Sequence, residues 1–194
     1  MKEESTFLDI GCGLGLGLAY ASQLNCKLYA TDFDSGALEF VKNHFQVETF
    51  RGDIWEAKYP DDFFDFIHIS NVIEHVLDPR AYVKEMRRIV KPGGYIAIGT
   101  PNISSKLYQF HRWASFLRFQ VHDVVDGLEH TFIFPQSVLR SLCQEEGLEV
   151  MDHYTHGLGE KLGRLLRYQM PLSKKINRLV QNFFQVNQWI VCRK

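Results

Sequence analysis

No apolar run in this 194-residue chain approaches the roughly 20 residues needed to cross a bilayer. The opening Met1–Thr6 is polar and lacks the apolar core of a secretory signal, so no targeting segment is expected. Neither sign of charge is in excess: 22 Lys and Arg stand against 23 Asp and Glu, a formal net charge of −1. With no overall positive field, nucleic acid is not an expected partner. Cysteine is scarce, and Cys12, Cys26, Cys143 and Cys192 show none of the short paired spacings of a zinc site or a disulfide framework. Free thiols suit a reducing compartment, so a cytoplasmic location is expected. There is no internal repeat and no low-complexity segment. What is present is ordinary globular composition, 45% hydrophobic and 23% charged, at a length that suits a single domain over residues 1–194.

The first half alternates short β-branched or aromatic runs with segments of helical period, the pattern of a parallel sheet with crossover helices and hence an α/β fold. Strands are expected at Phe7–Ile10, Lys27–Thr31, Glu48–Arg51, Phe64–Ser70 and Tyr95–Gly99, and helices starting near Gly15, Ser35 and Pro79. Ser35 is positioned to cap the second helix, Pro79 to open the helix through Ala81–Val90, and Lys91-Pro92-Gly93-Gly94 to end it. A further helix is read at Pro135–Gly147, with strands at Leu148–His153 and near Val186–Cys192. Between these, residues 102–128 lose the alternation and gather Tyr108, Phe110, Trp113, Phe116 and Phe119, as an inserted cap over an acceptor site would. Residues 158–184 read as a basic helical insertion, with Lys161, Arg164, Arg167, Lys174, Lys175 and Arg178 against Glu160 in 158–181. This is a solvated helix face or, alternatively, a peripheral contact to an anionic membrane.

The most informative stretch is Leu8-Asp9-Ile10-Gly11-Cys12-Gly13-Leu14-Gly15, an apolar strand running into a glycine-spaced turn and then a helix. Glycines there let backbone approach a ligand, and the helix N-terminus offers unpaired N–H groups to a carboxylate. The dinucleotide spacing G-x-G-x-x-G fails, because position 16 is Leu16 and glycines stand at 11, 13, 15 and 17. Asp9 adds a carboxylate able either to organise the loop or to meet an ammonium group, and a pyrophosphate would be repelled by it. A nicotinamide dehydrogenase is thereby disfavoured. The second strand ends at Asp32, where a carboxylate can accept from both hydroxyls of a ribose. The third ends at Asp53, which could accept from an exocyclic amine, with Ile54 packing on the base.

Together these motifs resemble the class I S-adenosylmethionine-dependent methyltransferases, in particular the small-molecule branch that includes ubiquinone-biosynthesis methyltransferases. The resemblance rests on Leu8–Gly15, Tyr29–Asp34, Phe64–Pro79 with Asp65 at the strand head, Arg88–Asn102 and the His130–Pro135 segment, and covers most of residues 7–150. It implies a Rossmann-like, doubly wound, seven-stranded sheet in the order 3-2-1-4-5-7-6, helices on both faces and the last strand antiparallel. It also implies S-adenosylmethionine as cofactor, with S-adenosylhomocysteine as product, and a small-molecule acceptor, a hydroxyl oxygen being favoured. Cofactor contacts carry over to Asp9, Gly11, Gly13, Asp32, Asp53 and Asn71, and Cys12, Gly15, Phe33 and Ile54 beside them complete the expected set. The chain departs from the pattern in having only about six residues ahead of its first strand, so the usual N-terminal lid is expected to be missing or replaced.

The exit of the fourth strand, Ser70-Asn71-Val72-Ile73-Glu74-His75, supplies His75 as a candidate base, or as a residue that, with Glu74, simply holds the loop. Relatives can place a metal on Glu-x-x-Glu-His here, but Asn71 replaces the first carboxylate and no bound metal is expected. His111, His122 and His130 are further histidines in or beside the cap. A non-catalytic cofactor-binding or scaffold protein is the alternative reading of the same motifs.

Overall fold

A computed structural model describes residues 5–24, 26–104, 131–156 and 187–194. Its strands are β1 (Ser5–Ile10), β2 (Cys26–Asp32), β3 (Val47–Arg51), β4 (Phe64–Ser70), β5 (Val90–Pro101), β6 (Glu149–His156) and β7 (Asn187–Arg193). They form one seven-stranded sheet in the order β3-β2-β1-β4-β5-β7-β6. The first five pair in parallel, and β7 runs antiparallel to both β5 and β6. The helices among the described residues are α1 (Leu16–Ala21), α2 (Ser35–His44), α3 (Ile54–Ala57), α4 (Pro79–Ile89) and α5 (Gln136–Glu145). This is the expected Rossmann-like α/β architecture and strand order. The cap read at 102–128 and the basic segment read at 158–184 fall almost wholly outside the described residues, as do Trp113 and the histidines at 111, 122 and 130.

Strand alternation divides the core between two faces. Leu8, Ile10, Tyr29, Ile67, Ile69, Ile96 and Ile98 pack with Met86 and Ile89 of α4 and with Leu139 and Leu142 of α5. Leu28 and Ala30 point the other way, onto Leu18 of α1 and Leu38 and Val41 of α2. Each isoleucine removed from water contributes roughly 1.5–3 kcal/mol before conformational entropy is counted.

Local chemistry departs from expectation in three places. The cap of α2 is Asp34, whose Oδ1 accepts from the Gly36 amide at 2.8 Å, and Ser35 is already the first helical residue. A carboxylate facing a helix N-terminus also gains from the macrodipole. Asp34→Ala should therefore cost about 1 kcal/mol in a denaturant melt, against no more than a few tenths for Ser35→Ala. Second, β5 begins at Val90, opposite Phe64, and after an irregularity Tyr95 lies opposite Phe66, so Lys91–Gly94 bulges out of the strand instead of preceding it. Third, α3 is a single turn that the periodicity did not reveal.

Asp65, at the head of β4, ties the lower edge of the sheet together. Its Oδ2 accepts from the Thr6 amide at 2.8 Å, the Thr6 hydroxyl at 3.0 Å and Lys91 Nζ at 2.7 Å. Burial pushes this carboxyl up, but Lys91 and Thr6 outweigh it and hold the group below its ordinary value of 3.8. A depressed carboxylate stabilises the fold above that value and loses its contribution as pH falls through the folded pKa. Since the side chain is partly solvated, the effect is modest. Thermal midpoints should fall less steeply below about pH 4 in Asp65→Asn than in the parent protein.

Candidate functional site

The parallel strands β1 to β4 all end at one edge of the sheet, and their exits surround a cavity of about 740 Å³, within the usual range for a small-molecule site. Beneath it β1 turns through Gly11, Gly13 and Gly15 at φ of 65°, 48° and 76°, a left-handed path costly for any residue with a Cβ. The loop is fastened to β2. The amides of Gly11 and Cys12 donate to Thr31 O at 2.8 and 3.1 Å, and that of Gly13 to Asp32 Oδ2 at 2.9 Å. Asp32 Oδ1 accepts from the Asp34 amide at 2.9 Å. The carboxylate is thus held by backbone donors, and each oxygen keeps a lone pair for a ligand hydroxyl.

Of the residues singled out in the sequence, the structure brings Gly11, Asp32, Phe33, Asp53, Asn71 and His75 to the cavity wall. Gly13 sits just beyond it with its Cβ position open, no heavy atom lying within 4 Å. Gly15 instead faces Val41 and Phe45 of the α2 region. Cys12 is buried, its Sγ directed at Gly13 O at 3.9 Å, and burial together with Asp32 and Asp9 pushes the thiol up to about 12. Asp9 is only 2% exposed and does not line the cavity; its Oδ1 meets His68 Nδ1 at 2.7 Å.

Ile54 corrects an expectation: its side chain is fully buried in the core, and Trp55 lines the cavity in its place. The cause is α3. Asp53 caps this one-turn helix, its side chain accepting from the Ile54 amide at 2.6 Å while Glu56 Oε2 accepts from the Asp53 amide at 3.0 Å, and the turn rotates position 54 inward. Tyr82 of α4 lines the same wall as Asp53, and its phenol is pushed up by burial and by that carboxylate. The Trp55 and Tyr82 rings meet edge to face at 6.3 Å. Trp55 and Tyr82 were missed by the sequence reading; the Asp-x-x-Glu capping spacing at 53–56 was the available signal for α3.

At the exit of β4, Asn71 adopts φ 54°, a conformation asparagine tolerates better than most residues. Glu74 is fully buried and its Oε2 accepts from Thr100 Oγ1 at 3.0 Å, while its carbonyl accepts from the Phe132 amide at 2.9 Å. Glu74 therefore pins the loop from within. His75 is exposed on the cavity wall, its amide donating to Val72 O at 2.9 Å. Among the described residues no group of three or more acidic, histidine or cysteine side chains converges as a metal site.

The charge of the wall decides between ligand classes. Asp32, Asp53 and Asp78 line it, and no Lys or Arg does among the described residues. Among the described wall residues a pyrophosphate would meet three carboxylates, whereas a ribose diol and a cationic group are suited to them.

The comparisons with known proteins agree with this geometry. Residues 1–153 match the methyltransferase domain family. The chain belongs to that family. A demethylmenaquinone methyltransferase of Bacillus velezensis is 33% identical over 129 residues, covering 62% of this chain and 54% of that protein. A ubiquinone biosynthesis O-methyltransferase of Alkalilimnicola ehrlichii is 25% identical over 184 residues, covering 79% of this chain and 74% of its own. The methyltransferase-domain chain spans about half or less of the length of the curated relatives it matches first. A crystal structure of a SAM-dependent methyltransferase from Archaeoglobus fulgidus superposes with a TM-score of 0.69 at 20% identity, over 100% of this chain and 87% of that one, and thus shares the fold.

Proposed function

We propose that this methyltransferase-domain protein binds S-adenosylmethionine in the cavity above the glycine loop and transfers its methyl group to a small-molecule acceptor, with a hydroxyl oxygen favoured. One observation carries the reading: a left-handed glycine loop whose Gly13 amide is held at 2.9 Å by Asp32, under a wall that holds acids and, among the described residues, no base stronger than histidine. The cofactor supplies a methyl group already activated by a sulfonium. Gly13, whose Cβ position is open, offers close backbone approach to its amino-acid end beside Gly11, which packs against Val72; Asp32 accepts from the ribose hydroxyls, and Asp53 stands at the adenine end with Trp55 and Tyr82. Phe33 and Asn71 complete the wall. His75 is placed to take the proton of an acceptor hydroxyl. Two quinone-pathway names among the relatives support a small molecule as acceptor. No described helix is long and apolar enough to cross a membrane.

The test is transfer of isotope-labelled methyl groups from S-adenosylmethionine into the small-molecule fraction of a cell extract. Label should appear there, and His75→Ala should lower its rate by about 100-fold while changing the Kd for S-adenosylhomocysteine little. Tight cofactor binding with no label in any fraction would establish the non-catalytic binder instead. An unchanged rate in His75→Ala would return His75 to a loop-holding role.

A further inference from the structure

Behind the glycine loop lies a polar pair that the proposed chemistry leaves unused. Asp9 of β1 and His68 of β4 are register partners on adjacent parallel strands, and their side chains meet at 2.7 Å, Oδ1 to Nδ1. A carboxylate only accepts, so Nδ1 is the donor. The second oxygen, Oδ2, is buried without a hydrogen-bond partner. It faces Gly17 in the first turn of α1, where a Cβ would come within 2.7 Å of both Asp9 Oδ2 and His68 Nδ1. Gly15, the N-cap of α1, has no side chain with which to cap the helix. The Asp9 carboxylate is the acidic group packed against this first turn. His68 is itself held on both sides, by the ring of Phe7 at 6.3 Å and that of Trp189 at 5.3 Å, each within 25° of parallel.

We propose that His68 is a positioning residue for cofactor binding: by donating to Asp9 it fixes that buried carboxylate against Gly17 of α1 and so holds the shape of the Gly11–Gly15 loop. The loop is fastened to β2 through Thr31 and Asp32, and the Asp9–His68 pair stands against Gly17 of α1, just beyond the loop's last glycine. The second of these contacts depends on charge. Burial pushes the Asp9 carboxyl above its ordinary value of 3.8 and Asp32 on β2 adds to this, while His68 on β4 and the Leu18 amide on α1 offset part of the rise. The remaining titratable neighbour is the Cys12 thiol, which stays neutral. Losing the His68 donor leaves only the Leu18 amide to oppose burial, and Asp9 then takes up a proton at higher pH.

This inference rests on the reading that the loop binds S-adenosylmethionine, and calorimetric titration with S-adenosylhomocysteine across a pH series separates the two. Parent protein, His68→Asn and His68→Phe are compared. Asparagine keeps a donor near the Nδ1 position, and phenylalanine keeps the ring stack and removes the donor. At neutral pH the Phe variant should bind roughly tenfold more weakly and the Asn variant within about threefold of the parent, as expected for one hydrogen bond to a charged group. The acid-side loss of affinity should also move to higher pH in His68→Phe. An unchanged Kd and pH profile in His68→Phe, or equal weakening in both variants, overturns the positioning role and leaves the cofactor reading standing. Absence of binding by the parent protein removes both. Should His68→Phe fail to fold, Asp9→Asn carries the test, with weaker binding and no acid-side inflection expected. Parent-like binding by Asp9→Asn would overturn the inference.

Discussion

Asp32→Ala should abolish measurable cofactor binding at ordinary concentrations, raising the Kd for S-adenosylhomocysteine by about 10²- to 10⁴-fold in calorimetry. The figure follows from two charge-assisted hydrogen bonds to the ribose at roughly 1.5–3 kcal/mol each. The protein should still fold. The carboxylate accepts from two backbone amides, those of Gly13 and Asp34, but both lie where water can replace the lost acceptor. Asp32→Asn separates the two duties of the side chain: its amide oxygen can still accept from one loop amide, while its NH₂ presents a donor where an acceptor is needed. The Asn variant should therefore resemble the parent in thermal midpoint and the Ala variant in affinity. A change in Kd below about tenfold for Asp32→Ala would move the ribose elsewhere and remove the central contact of the proposed site.

The architecture was legible in the sequence because it depends on patterns of short range. Phe64–Ser70 begins and ends where the alternation and its flanking residues indicate, and the strand order followed once the family resemblance was in hand. The errors share a cause at the level of single side chains. Ser35 and Asp34 are both good capping residues, and only the backbone decides which of them stands outside the first turn. Ile54 was placed on the adenine by its position after Asp53, but a four-residue helix is too short to show a period, and its phase sends Ile54 to the core and Trp55 to the cavity. The Asp9–His68 pair was invisible for another reason. Its members are 59 residues apart, and their contact follows from the register of β1 on β4, which no local pattern states. What the sequence did carry was Asp9's ambiguity between organising the loop and meeting an ammonium; its burial at 2% exposure favours the first.

Gly17→Ala puts that last point to a test in which two principles predict opposite signs. On helix propensity alone, alanine in α1 should stabilise the protein by about 1 kcal/mol relative to glycine. Gly17 also has no left-handed backbone to protect, since it is absent from the positive-φ glycines. Packing demands the reverse. The new methyl would stand 2.7 Å from Asp9 Oδ2 and from His68 Nδ1, and of the two it is Asp9, 2% exposed, that is confined. Relieving the contact draws the buried carboxylate and its imidazole donor apart, at a cost of about 1–3 kcal/mol for the lost hydrogen bond. Overpacking against α1 adds roughly 1–3 kcal/mol. The net expectation is a fall in thermal midpoint of at least about 2 °C for a chain of this size, together with weakened S-adenosylhomocysteine binding. Gly17→Ala in an Asp9→Asn background should be milder, because the neutral amide can retreat from the methyl at less cost. A midpoint that rises in Gly17→Ala would mean that α1 lifts freely from the pair, and that the glycine loop is held by its β2 clamp alone.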